Sequence, residues 1–244
     1  MRRIIHNVGE VILDNGVFFS QGVFETILHL EKPLFLNEHI ERLKNGIEVI
    51  GLEPLEEELL RDFLYLHNIK NKAVKILVTP ENIIVTERDI PYKDEDYIDG
   101  SSLTLSSVIR NSTSILSYIK STSYIENILE KSKANKKGFK DALFLNEKGY
   151  ITETSCANIF IVKNDEIYTP RIENGLLNGV IRNWVINNFK VKELDLTLEE
   201  LNNADEVFIT NSLMGIMSVR YFENIKYSCD KTKAIMNKYK LFNK

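Results

Sequence analysis

Residues 141–170, DALFLNEKGYITETSCANIFIVKNDEIYTP, decide how the chain is read. Apolar and β-branched residues flank NEKG, and again flank KNDE, so the segment predicts two successive β-hairpins with those tetrapeptides as turns. Between the hairpins Glu153 stands in a run that is otherwise β-branched, small or apolar. An acid in that place is either a solvated strand-end carboxylate or the partner of a buried cation.

Upstream, GVFETILHL (22–30) has the residues of a strand. In LFLNEHIERLKNGIEVIGL, Ile40, Leu43, Gly46 and Ile47 recur at helical spacing behind Asn37, the expected cap. PLEEELLRDFLYLHNI reads as a second amphipathic helix, and AVKILVTP, NIIVTERDI and SLTLSSVIR as strands. These elements predict a small α+β domain over residues 1–109. A larger domain is expected over 110–244, with a helix stopping at Gly138, another opening after Gly179, and ADEVFITNS returning as a strand. TERDIPYKDEDYIDGSS (86–102) reads as an exposed connection and the lysines of KSKANKKGFK (131–140) as a solvated face.

The chain has 244 residues, 43% hydrophobic and 27% charged, with a net charge of −4 and no basic face, which argues against a nucleic-acid partner. Its two cysteines, Cys156 and Cys229, suit neither a disulfide framework nor a metal knuckle, so no metal is expected. Cys156 reads as a packed small side chain. The N-terminal stretch lacks an apolar signal core and no later apolar run is long enough to span a bilayer, so a cytoplasmic protein with no membrane partner is expected.

Two further features carry chemical potential. Lys120, in SYIKSTSY, is either a surface lysine or a desolvated amine suited to Schiff-base chemistry. GLLNGVIR (175–182) is a glycine-punctuated entry to a helix, where free N–H groups and the positive dipole end favour a phosphate. For Glu153 a protonated pyridine nitrogen is one example of such a buried cation.

The lysine, an acid 33 positions later, YTP and then the N-G-aliphatic-aliphatic-R helix start resemble, in joint order, the class IV aminotransferase family of fold-type IV pyridoxal-phosphate enzymes. GVFETI, NEHIERL, DALFLNEKGYITETSCANIF, YTPRIENGLLNGVIR and ADEVFITNSLMGIM extend the resemblance over nearly the whole chain. It implies an α+β, D-amino acid aminotransferase-like fold of two domains with the cofactor between them, and a homodimer. It further implies that Lys120 bonds the cofactor and shuttles protons, and that Glu153 keeps the pyridine nitrogen protonated. Arg42, with His39 as its neighbour, matches the arginine that holds the cofactor phosphate. The backbone N–H groups of Val180 and Ile181 match the phosphate cup, and Ser212 with Asn211 beside it a further contact. Ile181 stands where the family usually has a threonine, so a backbone contact survives there and a hydroxyl contact does not.

The family includes branched-chain aminotransferases, D-amino acid aminotransferases and 4-amino-4-deoxychorismate lyases. GLLNGVIR and ADEVFITNSLMGIM resemble the lyase more than either transaminase. The D-amino acid enzymes trap a carboxylate with an Arg and a His; KILVTPENIIVTERDI offers Arg88 but no His, and TPEN replaces the usual Arg-Gly turn. Thr26 and Asn178 are each either a substrate-side group or a structural hydrogen-bonding group. Ser20, in place of a common glycine, leaves room for a cofactor-binding relative without turnover.

Overall fold

The computed structural model describes residues 2–242, which divide into two compact units: residues 2–91 with 119–124, and 92–118 with 125–242.

The first unit runs β1 (Arg3–His6), α1 (Asn15–Phe19), β2 (Val23–His29), α2 (Leu36–Val49), α3 (Glu57–Leu66), β3 (Lys72–Val78) and β4 (Asn82–Asp89). Its sheet has the order β1-β4-β3-β2, with β1 parallel to β4 and the other pairs antiparallel. Alternation assigns the faces. Val23, Ile27, Val74, Ile76, Val78, Ile83 and Val85 pack with Ile40, Leu43, Ile47, Leu60 and Leu64 of the two longer helices. Phe24, Thr26, Lys75 and Leu77 therefore lie on the opposite face. Gly46 lets α2 approach the sheet, since a Cβ there would stand 3.0 Å from Val23 Cγ1. The expected cap at Asn37 is displaced: α2 starts behind Phe35, which takes a left-handed φ of 53° and gives no side-chain cap.

The second unit comprises α4 (Asp94–Asp99), β5 (Ser101–Arg110), α5 (Ile125–Lys136), β6 (Asp141–Asn146), β7 (Ile151–Thr154), β8 (Asn158–Lys163), β9 (Glu166–Pro170), α6 (Val180–Asn188), β10 (Val191–Leu194), α7 (Leu198–Asn202), β11 (Glu206–Asn211), β12 (Gly215–Phe222), β13 (Ile225–Lys226) and α8 (Asp230–Phe242). Its strands follow the order β10-β9-β8-β11-β12-β5-β6-β7, and β7 also pairs with β8. That last pairing closes β8, β11, β12, β5, β6 and β7 into a ring, and it consists of a single register pair, Glu153 opposite Asn158. Leu103, Leu143, Ile159, Ile161, Val207, Ile209, Met217 and Val219 are among the core residues of this unit.

Both hairpins of the opening stretch form, β6–β7 and β8–β9, and Asn164 and Asp165 take positive φ in the second turn, as a tight two-residue hairpin demands. The expected division at 109/110 falls instead at 91/92, because β5 pairs in parallel with β6 and β12 of the larger sheet. Residues 119–124 return to the first unit by lying along β2: Phe24 N–H donates to Lys120 O at 2.8 Å and Thr122 N–H to Gly22 O at 2.9 Å. The stretch expected as an exposed connection contains α4 and two anchored tyrosines; Tyr97 OH donates to Met214 O at 2.9 Å. Among the described residues, no helix is long and apolar enough to cross a membrane.

Candidate active site

In the first unit the centre of charge is Glu25, an acid the sequence reading passed over. It faces the helices from β2, is 1% exposed, and grips Arg42 on two atoms: Nε to Oε1 at 2.6 Å and Nη2 to Oε2 at 2.8 Å. His39 joins the same carboxylate through Nδ1 at 2.7 Å, so it is Arg42's neighbour, as the one-turn spacing suggests. Burial alone would raise the Glu25 pKa; the Arg42 guanidinium and the His39 ring outweigh it and hold the carboxyl well below the usual range. The buried charge stays ionised and fixes one edge of the Arg42 fork.

Lys120 is half-buried, its Nζ 4.5 Å from the centre of the Phe24 ring and 5.3 Å from that of Tyr124. Lys75 Nζ lies 4.4 Å from the same Phe24 ring. Burial and the Arg88 guanidinium both lower the Lys75 pKa. Thr26 stands directly opposite Lys75, and Lys75 opposite Thr86, while Arg88 faces Ala73 one row further along that face. Neither Lys75 nor Arg88 pairs with a carboxylate among the described residues. The chain's four histidines lie elsewhere: His6 against Phe63, His29 bonded to Leu64 O, His39 on Glu25, and His67 stacked on Phe63. The TPEN turn is built around Asp14, which accepts from Thr79 Oγ1 at 2.6 Å, Glu81 N at 2.9 Å and Asn82 Nδ2 at 3.0 Å.

In the second unit Glu153 is half-buried, and its Oε2 accepts from Leu177 N at 3.3 Å. Asn158 Nδ2 donates to Leu177 O at 2.8 Å. The turn ends at Gly179, the N-cap of α6, which supplies no side-chain cap, so the first N–H groups of Val180 and Ile181 face no capping side chain. Asn178 accepts from Arg182 Nη1 at 3.2 Å. Arg182 is buried, donates to Pro170 O at 3.0 Å and pairs with Glu193, pinning α6 to β9 and β10. An uncapped nine-residue helix start of this kind suits a phosphate.

Asn211 shapes the β11–β12 turn: its Oδ1 accepts from Leu213 N at 3.0 Å and Met214 N at 2.9 Å, and its Nδ2 donates to Cys156 O and Tyr92 OH, both at 3.2 Å. That side chain is occupied internally, whereas the hydroxyl of Ser212 has no hydrogen bond among the described residues. Cys156 is packed, but not simply against apolar neighbours. Its Sγ lies 3.1 Å from Lys131 Nζ and 3.3 Å from Asp141 Oδ2, and burial chiefly pushes the thiol up to about 12. Lys131 thus leaves the solvated face expected for its cluster. A thiol so protonated is a poor nucleophile.

Lys120, Arg42 and Thr26 thus belong to the first unit, and Glu153, Asn178, Val180, Ile181, Asn211 and Ser212 to the second. Glu25 and Lys75 were legible only in retrospect. Glu25 alternates with Val23 and Ile27 on the helix-facing side of β2, opposite a His and an Arg three apart on α2.

A sequence model of the amino-transferase class IV family matches residues 22–222. The D-alanine aminotransferase of Listeria monocytogenes is 29% identical over 92% of this chain and 86% of its own length. The aminodeoxychorismate lyase of Bacillus subtilis is also 29% identical, over 93% and 87%. The branched-chain amino acid aminotransferase of Escherichia coli, at 22% identity, shares the fold with a TM-score of 0.83 over 94% of this chain and 87% of its own. The chain belongs to the class IV aminotransferase family, a family of pyridoxal-phosphate-dependent enzymes.

Proposed function

We propose that the protein is a pyridoxal-phosphate-dependent lyase that converts 4-amino-4-deoxychorismate to 4-aminobenzoate and pyruvate, a step towards folate, and that it works as a homodimer. Sequence identity to the lyase and to the D-alanine enzyme is equal, so the choice rests on the site. The observation that carries it is the pair of cations on one face of the first unit's sheet, Lys75 and Arg88, neither paired with an acid among the described residues. Lys75 lies against the same aromatic ring as Lys120. A substrate with two carboxylates and one amine suits that face better than an amino acid with an aliphatic side chain. The positions of the histidines and of Asp14 at the TPEN turn support the same choice over a D-amino acid enzyme, which needs an Arg and a His there.

When bound, the cofactor supplies an electron sink conjugated to the substrate's amine nitrogen. In this reading Lys120 removes the proton from the amine-bearing ring carbon and then protonates the departing enolpyruvyl group, which leaves as pyruvate while the ring becomes aromatic. Glu153 keeps the ring nitrogen of the cofactor protonated. Arg42, the N–H groups of Val180 and Ile181, and Ser212 hold its phosphate, and Thr26 and Asn178 lie on the substrate side.

The test is release of 4-aminobenzoate from aminodeoxychorismate, made in place from chorismate and glutamine by a synthase, beside a Lys120→Ala control. Product that disappears in the control is the expected result. Turnover of branched-chain or D-amino acids with 2-oxoglutarate and no 4-aminobenzoate would replace the lyase with an aminotransferase. A yellow protein inert to all of them would leave a cofactor-binding relative.

A further inference from the structure

The β7–β8 seam and the entry to α6 meet at one residue. Leu177 is gripped from both sides, its N–H by Glu153 Oε2 at 3.3 Å and its C=O by Asn158 Nδ2 at 2.8 Å. Those two side chains come from the register pair that joins β7 to β8 and closes the ring. Asn158 is 6% exposed, and its other amide atom is lodged against the helix cap: a Cβ built on Gly179 would lie 2.0 Å from Asn158 Oδ1. Gly179 itself has φ −73° and ψ 141°, a conformation open to any residue. Glycine is therefore required there by the Asn158 side chain and not by the backbone.

We infer that Asn158 is a positioning residue that sets the Leu177–Gly179 turn, and through it the direction of the Val180 and Ile181 N–H groups, from the strand pair that carries Glu153. Glu153 accepts from the N–H side of Leu177, while Asn158 holds its carbonyl side, the side that leads through Gly179 into the phosphate cup, so Asn158 acts on the cup and leaves the acid at the ring nitrogen in place. This rests on the proposed cofactor reading. It adds a residue that touches no cofactor atom in that reading and explains why Asn158 and Gly179 occur together.

The substitutions Asn158→Ala and Gly179→Ala attack the same contact from opposite sides. The first removes the bond to Leu177 O; the second drives the amide out of place and breaks that bond indirectly. Each weakens pyridoxal phosphate binding by about tenfold, the order seen when an outer partner of a ligand-holding group is lost. Pyridoxal, which lacks the phosphate, binds as it does to the wild type. The double variant is the decisive one, because alanine at 158 leaves room for the new Cβ at 179. Its loss stays near that of one substitution, about tenfold, whereas independent sites would multiply to about a hundredfold. Dissociation constants for the two ligands, read by the absorbance of the bound cofactor, give the answer, with thermal unfolding of the unliganded chains as control.

Multiplying losses, or equal losses for pyridoxal and its phosphate, would overturn the positioning role. Unchanged affinity in Asn158→Ala beside a wild type that binds would do so too. A wild type that binds no pyridoxal phosphate overturns the cofactor reading first, and this coupling with it.

Discussion

At the scale of single residues, the pairing of Glu25 with Arg42 and His39 decides how stable the first unit is in acid. Truncating one partner of a buried ion pair leaves the other charge unmatched, so Glu25→Ala should cost about 3 kcal/mol, measurable by urea unfolding. The pH dependence has a defined sign. The folded-state pKa of Glu25 lies well below its ordinary value of 4.5, so its stabilisation is complete above that value and is lost as pH falls towards the folded pKa. The gap in melting temperature between wild type and Glu25→Gln should be constant near neutrality and narrow below about pH 4.5; a gap that widens in acid would show the carboxyl is not held ionised. For Lys75 the expectation concerns substrate. Lys75→Ala should raise KM for a dicarboxylate by about tenfold, the value of one charge-assisted hydrogen bond, and leave the cofactor's absorbance unchanged. Lys120 and Glu153 stood out because each is a charge in an uncharged run. Glu25 and Lys75 did not, because an acid or a lysine in an alternating strand reads as solvent-facing until the partner element is known.

At the scale of elements, the strands and hairpins were readable and their junctions were not. KNDE specifies its turn, and Asn164 and Asp165 adopt the positive φ that Asn and Asp tolerate best. The start of α2 departs from the expected cap at Asn37 because Phe35, a bulky residue with no intrinsic preference for a φ of 53°, takes the left-handed conformation ahead of the helix, which the local sequence does not signal. The segment 119–124 joins the first unit by pairing with the start of β2, a long-range contact that no local pattern announces. Ser20 shows the opposite case. It caps the C-terminus of α1 at φ 57° and ψ 28°, a left-handed conformation that glycine adopts readily, so the turn forms with serine in it. A left-handed non-glycine residue costs about 1–2 kcal/mol, and glycine returns about 0.5–1 kcal/mol through its freer unfolded chain. Ser20→Gly should therefore stabilise the protein by no more than about 1.5 kcal/mol, seen as a rise of at most a few degrees in melting temperature, and should not change turnover. Ser20 then carries no argument for a lost activity.

At the scale of the whole molecule, the apolar surface bears on the proposed homodimer. α1 buries none of its residues, and Val17, Phe18 and Phe19 are 49%, 63% and 77% exposed. On α5, Ile125, Ile128 and Leu129 recur at helical spacing and are also exposed. Contiguous apolar residues of this size are costly to leave in water. In a two-fold dimer each substitution at the interface counts twice, so charging both phenylalanines removes four side chains from the contact. At a lower bound of about 1.5 kcal/mol each, Phe18→Asp with Phe19→Asp should weaken association by about 6 kcal/mol, enough to dissociate a nanomolar dimer at micromolar concentration. Sedimentation should find the wild type at twice the 28.2 kDa of one chain and the double variant at that mass. A wild type that sediments as a single chain would remove the homodimer, and a variant that stays dimeric would move the interface away from α1.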